Sequence, residues 1–443
     1  MFICGFLSLS ADAQAQDWFR TGTGLGVEKA RVAVADFAAR NPPAAPLARL
    51  FTEVLTADLD FSGIVEPVSK SFYPLEQPSV PGQLKHEAWS EPPAAAHMLA
   101  FGNLSARPDS IGANGNDLVV EAWLYDVRNT GAPAILAKRY RGEATEAEAR
   151  RLAHLFADEI VTRLSGGLSG VASTKIAFVR ARGAVKEIWV MDYDGANARQ
   201  VSQHATVSLT PRWSPDGTKI AYTCYVRGRT GVTHAQICLH SLETGRRMAF
   251  PEYRGTNSAP SWSPDGSKIS FMSDMYGDPE LFLIDANGQN LRRMTYQAGA
   301  DTSPAWNPKT GQQIAFVSDR AGVPQLYVMN ADGTNVERIA LEDMGYVIDP
   351  AWSPNGQMLA FSWQRPTGNY DLYVMDIATR QLVELTRDAG RNERPSWAPD
   401  GRHIVFESTR TGTRQIWTML ADGTRARQLT FEGQSESPNW SQR

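Results

Sequence analysis

Long apolar runs, an excess of either charge and a supply of cysteine are all missing from this 443-residue chain. No stretch approaches the roughly 18 apolar residues that a membrane-crossing helix needs. With 44 basic and 48 acidic side chains the formal net charge is −4, which leaves no basic field for nucleic acid and no polybasic membrane anchor. Three cysteines are too few for a fold built on disulfides. Catalytic signatures are missing as well. No Gly-x-Ser-x-Gly elbow occurs, and "GGLSGV" around Ser169 lacks its spacing, so the strained nucleophile turn of an α/β-hydrolase is not encoded. The seven histidines show no metal-ligand spacing. Gly22, Gly24 and Gly26 in "RTGTGLGVEKARVAVADF" precede an apolar strand instead of following one, which argues against a phosphate-cradling loop.

What the chain does have is a repeat. With 42% hydrophobic and 21% charged residues it reads as an ordinary folded protein of two or three domains. From residue 172 onward a Pro-x-Trp marker and a Ser-Pro-Asp-Gly-like turn recur every 43–49 residues, at Trp213, Trp262, Trp306, Trp352, Trp397 and, truncated, Trp440. Two β-rich runs and a shorter third follow each marker, as in "QIAFVSDR", "QLYVMNADG" and "VERIA". Four short strands at this period define propeller blades. Proline opens a strand where its missing N–H does least harm. Tryptophan supplies an apolar wedge between sheets. The first repeat, from "KIAFVR", has no Pro-x-Trp strand, whereas the last copy, "PNWSQR", is nothing else. The C-terminal strand should therefore complete the first blade and close a ring of six, leaving no free sheet edge.

The segment before the ring mixes strands and helices. Residues 32–37 and the runs "IVEPVS", "HMLAFGNL", "LVVEAWLYDV" and "AILAKRYRG" read as strands, and 47–59 as an amphipathic helix. "TEAEARRLAHLFADEIVTRL" is a second helix opening on the capping pattern Thr145-x-x-Glu148. The expected fold is thus multidomain, an N-terminal α/β domain (16–165) followed through a flexible linker (166–171) by an all-β six-bladed β-propeller (172–443). Residues 1–15, apolar and then Ala11-x-Ala13-x-Ala15, read as the back of a secretory signal peptide. No Lys or Arg precedes Arg20, so the true start is expected upstream of Met1. Cys4 falls inside this leader. Cys224 and Cys238 lie on successive strands, and in an oxidising compartment a disulfide and a pair of small buried hydrophobes are both open readings.

Candidate binding residues follow from the propeller geometry. The residues just before each Pro-x-Trp begin the innermost strands and should rim the axial funnel. From them Leu209, Thr256, Asn257, Ser258, Ala259, Thr302, Ser303, Ile348, Asp349, Glu393, Glu436 and Ser437 form the candidate partner-binding set. They differ from blade to blade, and ligand-neutral loop variation is the plain alternative, although function concentrates on such loops. Asp349, Glu393 and Glu436 are the obvious carboxylates for an alternative reading, a propeller hydrolase or lyase acting on envelope peptides or glycans. A propeller that binds a small sugar or metal is a third reading. The Asp-Gly pairs at Asp194, Asp332 and Asp422 are better read as hairpin turns than as a calcium array. No metal site, cofactor or catalytic residue is expected.

Taken together, "TADLDFSGIVEPVS", "EAWSEPPAAAHMLAFGNL", "YDVRNTGAPAILAKRYRG", the helix ending "EIVTRLSG", "MDYDGAN" and "PSWSPDGSKISFMS" resemble the TolB family of the Tol–Pal envelope system over essentially the whole chain. The resemblance implies a non-enzymatic, monomeric periplasmic adaptor that supports outer-membrane invagination during division. It implies that the lipoprotein Pal binds in the funnel, with 256–259 and 301–303 as Pal-facing loops, and that membrane association comes only through Pal. It also implies that Gln16, Asp17, Trp18, Phe19, Arg20 and Thr21 engage the C-terminal domain of TolA. Gly22, Gly24 and Gly26, which depart from the family pattern, then act as a hinge.

Overall fold

The computed structural model describes residues 29–107, 118–227, 233–339 and 345–442. The leader, the 16–21 segment and the glycines at 22, 24 and 26 lie outside the described residues. The chain divides into two compact units, Val27–Ser173 and Thr174–Arg443. Among the described residues no helix is long and apolar enough to cross a membrane.

The first unit is α/β. Its sheet runs in the order Val65–Pro67, Ala30–Val34, Met98–Ala106, Leu118–Asp126, Leu136–Gly142. The first three are parallel and the rest antiparallel. The first strand ends at Val34 rather than Phe37 because, after the Ala35 N–H pairs with the Ala100 carbonyl (2.9 Å), the next two donors turn to side chains. The N–H of Asp36 goes to Gln77 Oε1 (2.7 Å) and that of Phe37 to Thr52 Oγ1 (3.0 Å). Helices Ala45–Phe61 and Glu146–Leu164 pack on each other. Thr145 caps the second helix by accepting from the Glu148 N–H. The segment after it is not the free tether its composition suggests. Asp158 accepts the N–H groups of Ala172 (2.8 Å) and Ser173 (2.9 Å), and a Cβ at Gly170 would collide with that carboxylate.

The second unit is a six-bladed β-propeller of four-stranded antiparallel sheets. The second to sixth blades span 208–248, 257–293, 301–338, 347–384 and 392–428, and Gln434–Trp440 joins Lys175–Arg182, Val185–Asp192 and Arg199–Gln200 as the innermost strand of the first. The innermost strands touch one another in a closed cycle. Each marker tryptophan wedges between neighbouring sheets, as Trp397 does between Ala360 and Leu372 of the fifth blade and Ile404 and Phe406 of the sixth. Its indole N–H reaches back as well. Trp213, Trp262, Trp352 and Trp397 donate to the carbonyls of Asn439, Arg212, Ala305 and Ala351, at 3.1–3.2 Å. One residue thus supplies both apolar burial and a directional seam bond. The following turn is held by its serine: Ser214 Oγ donates to Asp216 (2.5 Å) and accepts the Lys219 N–H (2.9 Å). In the outer turns the Asp332 and Asp422 carboxylates accept from Thr334 and Thr424, which is hairpin chemistry. Cys224 and Cys238, diagonal across antiparallel neighbours and both buried, are joined in a disulfide with Cα atoms 5.8 Å apart.

Candidate functional site

Each innermost strand breaks register at the same place. Between Leu209 and Arg212, and at the five equivalent positions, two residues oppose one on the neighbouring strand. Such a β-bulge re-aims side chains. The bulged residue just before the proline has positive φ in all six blades: Thr210, Ala259, Ser303, Asp349, Arg394 and Ser437, at 49–57°. Non-glycine residues rarely adopt this conformation, and it concentrates at ligand clamps. Three of the six N–H groups are held by the preceding blade, Ala259 by Thr223 Oγ1 (3.1 Å), Arg394 by Ser362 Oγ (3.2 Å) and Ser437 by Glu407 (2.6 Å). The residues equivalent to those acceptors for Thr210, Ser303 and Asp349 are Val179, Met272 and Val317, which carry neither hydroxyl nor carboxylate.

The rim residues divide into two arcs. On the second to fifth blades Leu209, Ser258, Ala259, Thr302, Ser303, Ile348 and Asp349 are half-buried and line the funnel, with Thr256 half-buried just ahead of its strand. On the sixth and first blades Glu393, Glu436 and Ser437 are buried. They are committed to an ionic girdle: Arg391–Glu393 (2.8 Å), Arg414–Glu407 (3.1 Å), Arg414–Glu436 (2.9 Å) and Lys186–Glu436 (2.6 Å). Arg394 donates to Ser437 Oγ and pairs with Glu407. Asn257 departs from the expected contact set for a different reason. It is 1% exposed, and its amide is surrounded by the carbonyls of Tyr253, Arg254 and Gly255. Strand alternation turns the residue three before each proline inward, and the Asn257 amide N–H groups are spent on its own loop.

The far end of the channel is a cavity of about 370 Å³ lined by all six marker tryptophans together with Arg212, Asp349 and Arg394. Burial pushes the Asp349 carboxyl above the usual range, against the pull of the Arg394 and Arg212 charges. Burial pushes the Arg212 guanidinium down to about 10. Burial likewise raises Glu407, opposed by Arg394 and Arg414. For Glu436 burial also acts upward, but the Lys186 hydrogen bond and charge outweigh it and hold the group low. Of the three candidate carboxylates, Glu393 and Glu436 both pair with Arg414, at 3.7 and 2.9 Å, and Asp349 lies within reach of the Glu393 charge. Two are tied to cations, and the third stands between two arginines. Arg212, Lys186, Glu407 and Arg414 lie outside the expected set. Arg212 carried one signal, as the only charged residue at the middle position of Pro-x-Trp.

Large aromatic side chains stand on the same face as the rim. Tyr276 (62% exposed) lies in a hairpin, and Tyr296 (70%), Tyr346 (45%) and Phe431 (75%) lie in loops that lead into innermost strands. Arg254 and Arg293 lie against the Tyr276 ring, and Arg293 also sits 4.8 Å from that of Tyr296. Exposed aromatics clustered about a concave mouth mark protein-docking surfaces.

An α/β unit preceding a six-bladed ring with a polar funnel places the chain among two-domain propeller proteins. Its family is defined by sequence. The profile of the TolB beta propeller domain matches residues 162–348 and 342–443, and that of the TolB amino-terminal domain matches 23–132. The chain belongs to the TolB family. It is 34% identical over 290 residues to the Tol-Pal system protein TolB of Bordetella pertussis, covering 65% of this chain and 60% of that one. It is 32% identical over 262 residues to a TolB homolog of Chlorobium chlorochromatii, covering 59% and 55%. The matched segments thus span less than two thirds of these relatives' lengths. The crystal structure of TolB from Acinetobacter baumannii superposes with a TM-score of 0.78 at 25% identity, covering 94% of this chain and 97% of that one.

Proposed function

We propose that this chain is a non-enzymatic periplasmic adaptor of a Tol–Pal assembly, taking Pal on the funnel face and TolA on the segment 16–21, and so coupling the envelope layers during division. One observation carries the Pal reading: the half-buried arc of small rim residues opens among four exposed aromatics on one face. Membership of the TolB family supports the same reading. The arc supplies close main-chain approach at Thr210, Ser303 and Asp349, and the aromatics supply apolar area at low entropic cost.

Calorimetric titration of the full mature chain with the soluble domain of the cognate Pal tests the proposal. Thr302→Trp and Thr256→Trp should each weaken binding by about tenfold or more. Absence of binding, or full affinity in both variants, sinks it. Deletion of residues 16–23 should abolish TolA binding and leave Pal binding unchanged. The hydrolase or lyase alternative requires an activity on envelope peptides or glycans that is lost when Asp349, Glu393 and Glu436 are replaced.

A further inference from the structure

Three blades share one construction at the outer edge of the funnel face, and one of the three is incomplete. In the fourth blade the Arg320 guanidinium lies 5.6 Å from the Phe316 ring and 5.1 Å from that of Tyr327, and it pairs with Asp301 of the innermost strand at 2.7 Å. In the sixth, Arg410 lies over Phe406 (5.1 Å) and Trp417 (4.6 Å) and donates to the Asn392 side-chain oxygen at 2.9 Å. In the first, Phe178 and Trp189 are the same aromatic pair by register, and the arginine equivalent to Arg320 and Arg410 is Arg182. Arg180 stands where those blades have Ser318 and Ser408, the hydroxyls that accept from their arginines, and lies over Phe178 (5.3 Å) and Trp189 (4.5 Å). The residue equivalent to Asp301 and Asn392 is here Ser435, three before its proline.

Nothing in the first blade completes the arrangement. Among the described residues Arg180 Nε and Ser435 Oγ are buried with no hydrogen-bond partner. A second guanidinium, that of Arg182, stacks on Trp189 from 5.1 Å. Among the described residues these two like charges on one indole have no carboxylate within ion-pair distance. Glu432 acts on Arg180 only at longer range. Glu187, which also lines the site, is occupied by Ser202, Ser208 and the Ala205 N–H. The space between them is a pocket of about 290 Å³, with Gln200 and Gln203 as further walls.

We infer that the pocket between Arg180, Arg182 and Trp189 is a carboxylate-binding site, filled from outside the chain. The sister blades identify the missing chemistry, because a guanidinium over the equivalent aromatic pair closes there on a carboxylate or an amide oxygen of the innermost strand. Arginine's planar fork suits a carboxylate, and the aromatic floor holds the fork in place. The source is either an acidic side chain of a protein seated on this face or a free small carboxylate.

The test uses the full mature chain labelled with ¹⁵N at tryptophan, with the Trp189 indole signal assigned by its disappearance in Trp189→Phe. Titrants are sodium glutarate, a short glutamate-containing peptide and the same peptide with glutamine. A saturable Trp189 shift with glutarate and peptide alike supports a free carboxylate as sufficient, and a shift with the acidic peptide alone supports a protein side chain. The shift should be lost in Arg180→Gln and strongly reduced in Arg182→Gln, both of which remove groups that reach solvent. Ser435→Asp supplies the internal acid of the fourth blade and should abolish the response while raising the melting temperature. An equal shift with the glutamine peptide, no shift with any titrant, or wild-type responses in the two arginine variants overturns the inference.

Discussion

The main-chain N–H of Ser437 donates to the carboxylate of Glu407 at 2.6 Å, across the seam where the last strand of the chain meets the sixth blade. Glu407 is 2% exposed and also pairs with Arg394 and Arg414. One acid thus binds a strained bulge, a rim arginine and the girdle together. Glu407→Gln retains an acceptor and should destabilise the propeller by about 1–2 kcal/mol, while Glu407→Leu should cost about 2–4 kcal/mol. The arginines reach water and have other acids, which keeps both values below those of a sealed pair. Denaturant titration of the two variants checks the order; equal stability of the leucine variant and the parent would refute it.

Trp440 is 1% exposed, and its indole N–H donates to Thr174 at 2.7 Å. Trp440→Ala should cost about 3–5 kcal/mol, and Trp440→Phe distinctly less. Removal of residues 434–443 leaves Lys175–Arg182 as an open edge, and the product should aggregate. Light scattering during a thermal ramp would register this.

The Cys224–Cys238 bond closes a separation of 14 residues. Reduction should lower stability by up to about 3 kcal/mol in the chain-entropy account. A Cys224→Ala/Cys238→Ala variant should melt at the same temperature with and without reductant, and a reductant effect in that variant would place the sensitivity elsewhere.

The girdle makes stability depend on pH in a defined direction. Glu436 is held below its ordinary 4.5 once folded, chiefly through Lys186 after burial is overcome. A carboxyl lowered by folding contributes fully above its unfolded value and loses that contribution as pH falls through the folded one. Lys186→Met should therefore destabilise by about 1 kcal/mol near neutrality. The difference from the parent should shrink as pH drops below about 4.5. Melting curves from pH 3 to 7 decide it, and a gap that widens toward acid would contradict the sign. Glu407, raised by burial, acts in the opposite sense, so the parent's own acid limb is shallower than Glu436 alone would make it.

The propeller was legible because its information is local and repeated. Trp262, Pro260 and the turn at Asp265 announce a blade without reference to anything distant, and the missing first marker matched by the extra last one discloses closure. The Thr145 cap was legible for the same reason. The bulge was not, because positive φ at Thr210 or Asp349 is imposed by register against the next strand and leaves no glycine as a trace. Nor was the girdle, whose partners Lys186 and Glu436 are 250 residues apart. The burial of Asn257 was not legible either, because strand alternation, not residue type, turns it inward. Tyr296 and Phe431 lie in loops, where no periodicity marks an aromatic as exposed.

The N–H of Lys175 finds its acceptor in Ser441, 266 residues later. Until that pairing forms, the first blade presents an unpaired edge. Each of the other five sheets is built from neighbouring segments, whereas the first must close a loop that spans the whole propeller. Completion of the ring is therefore its least local step, and it waits on the C-terminal strand.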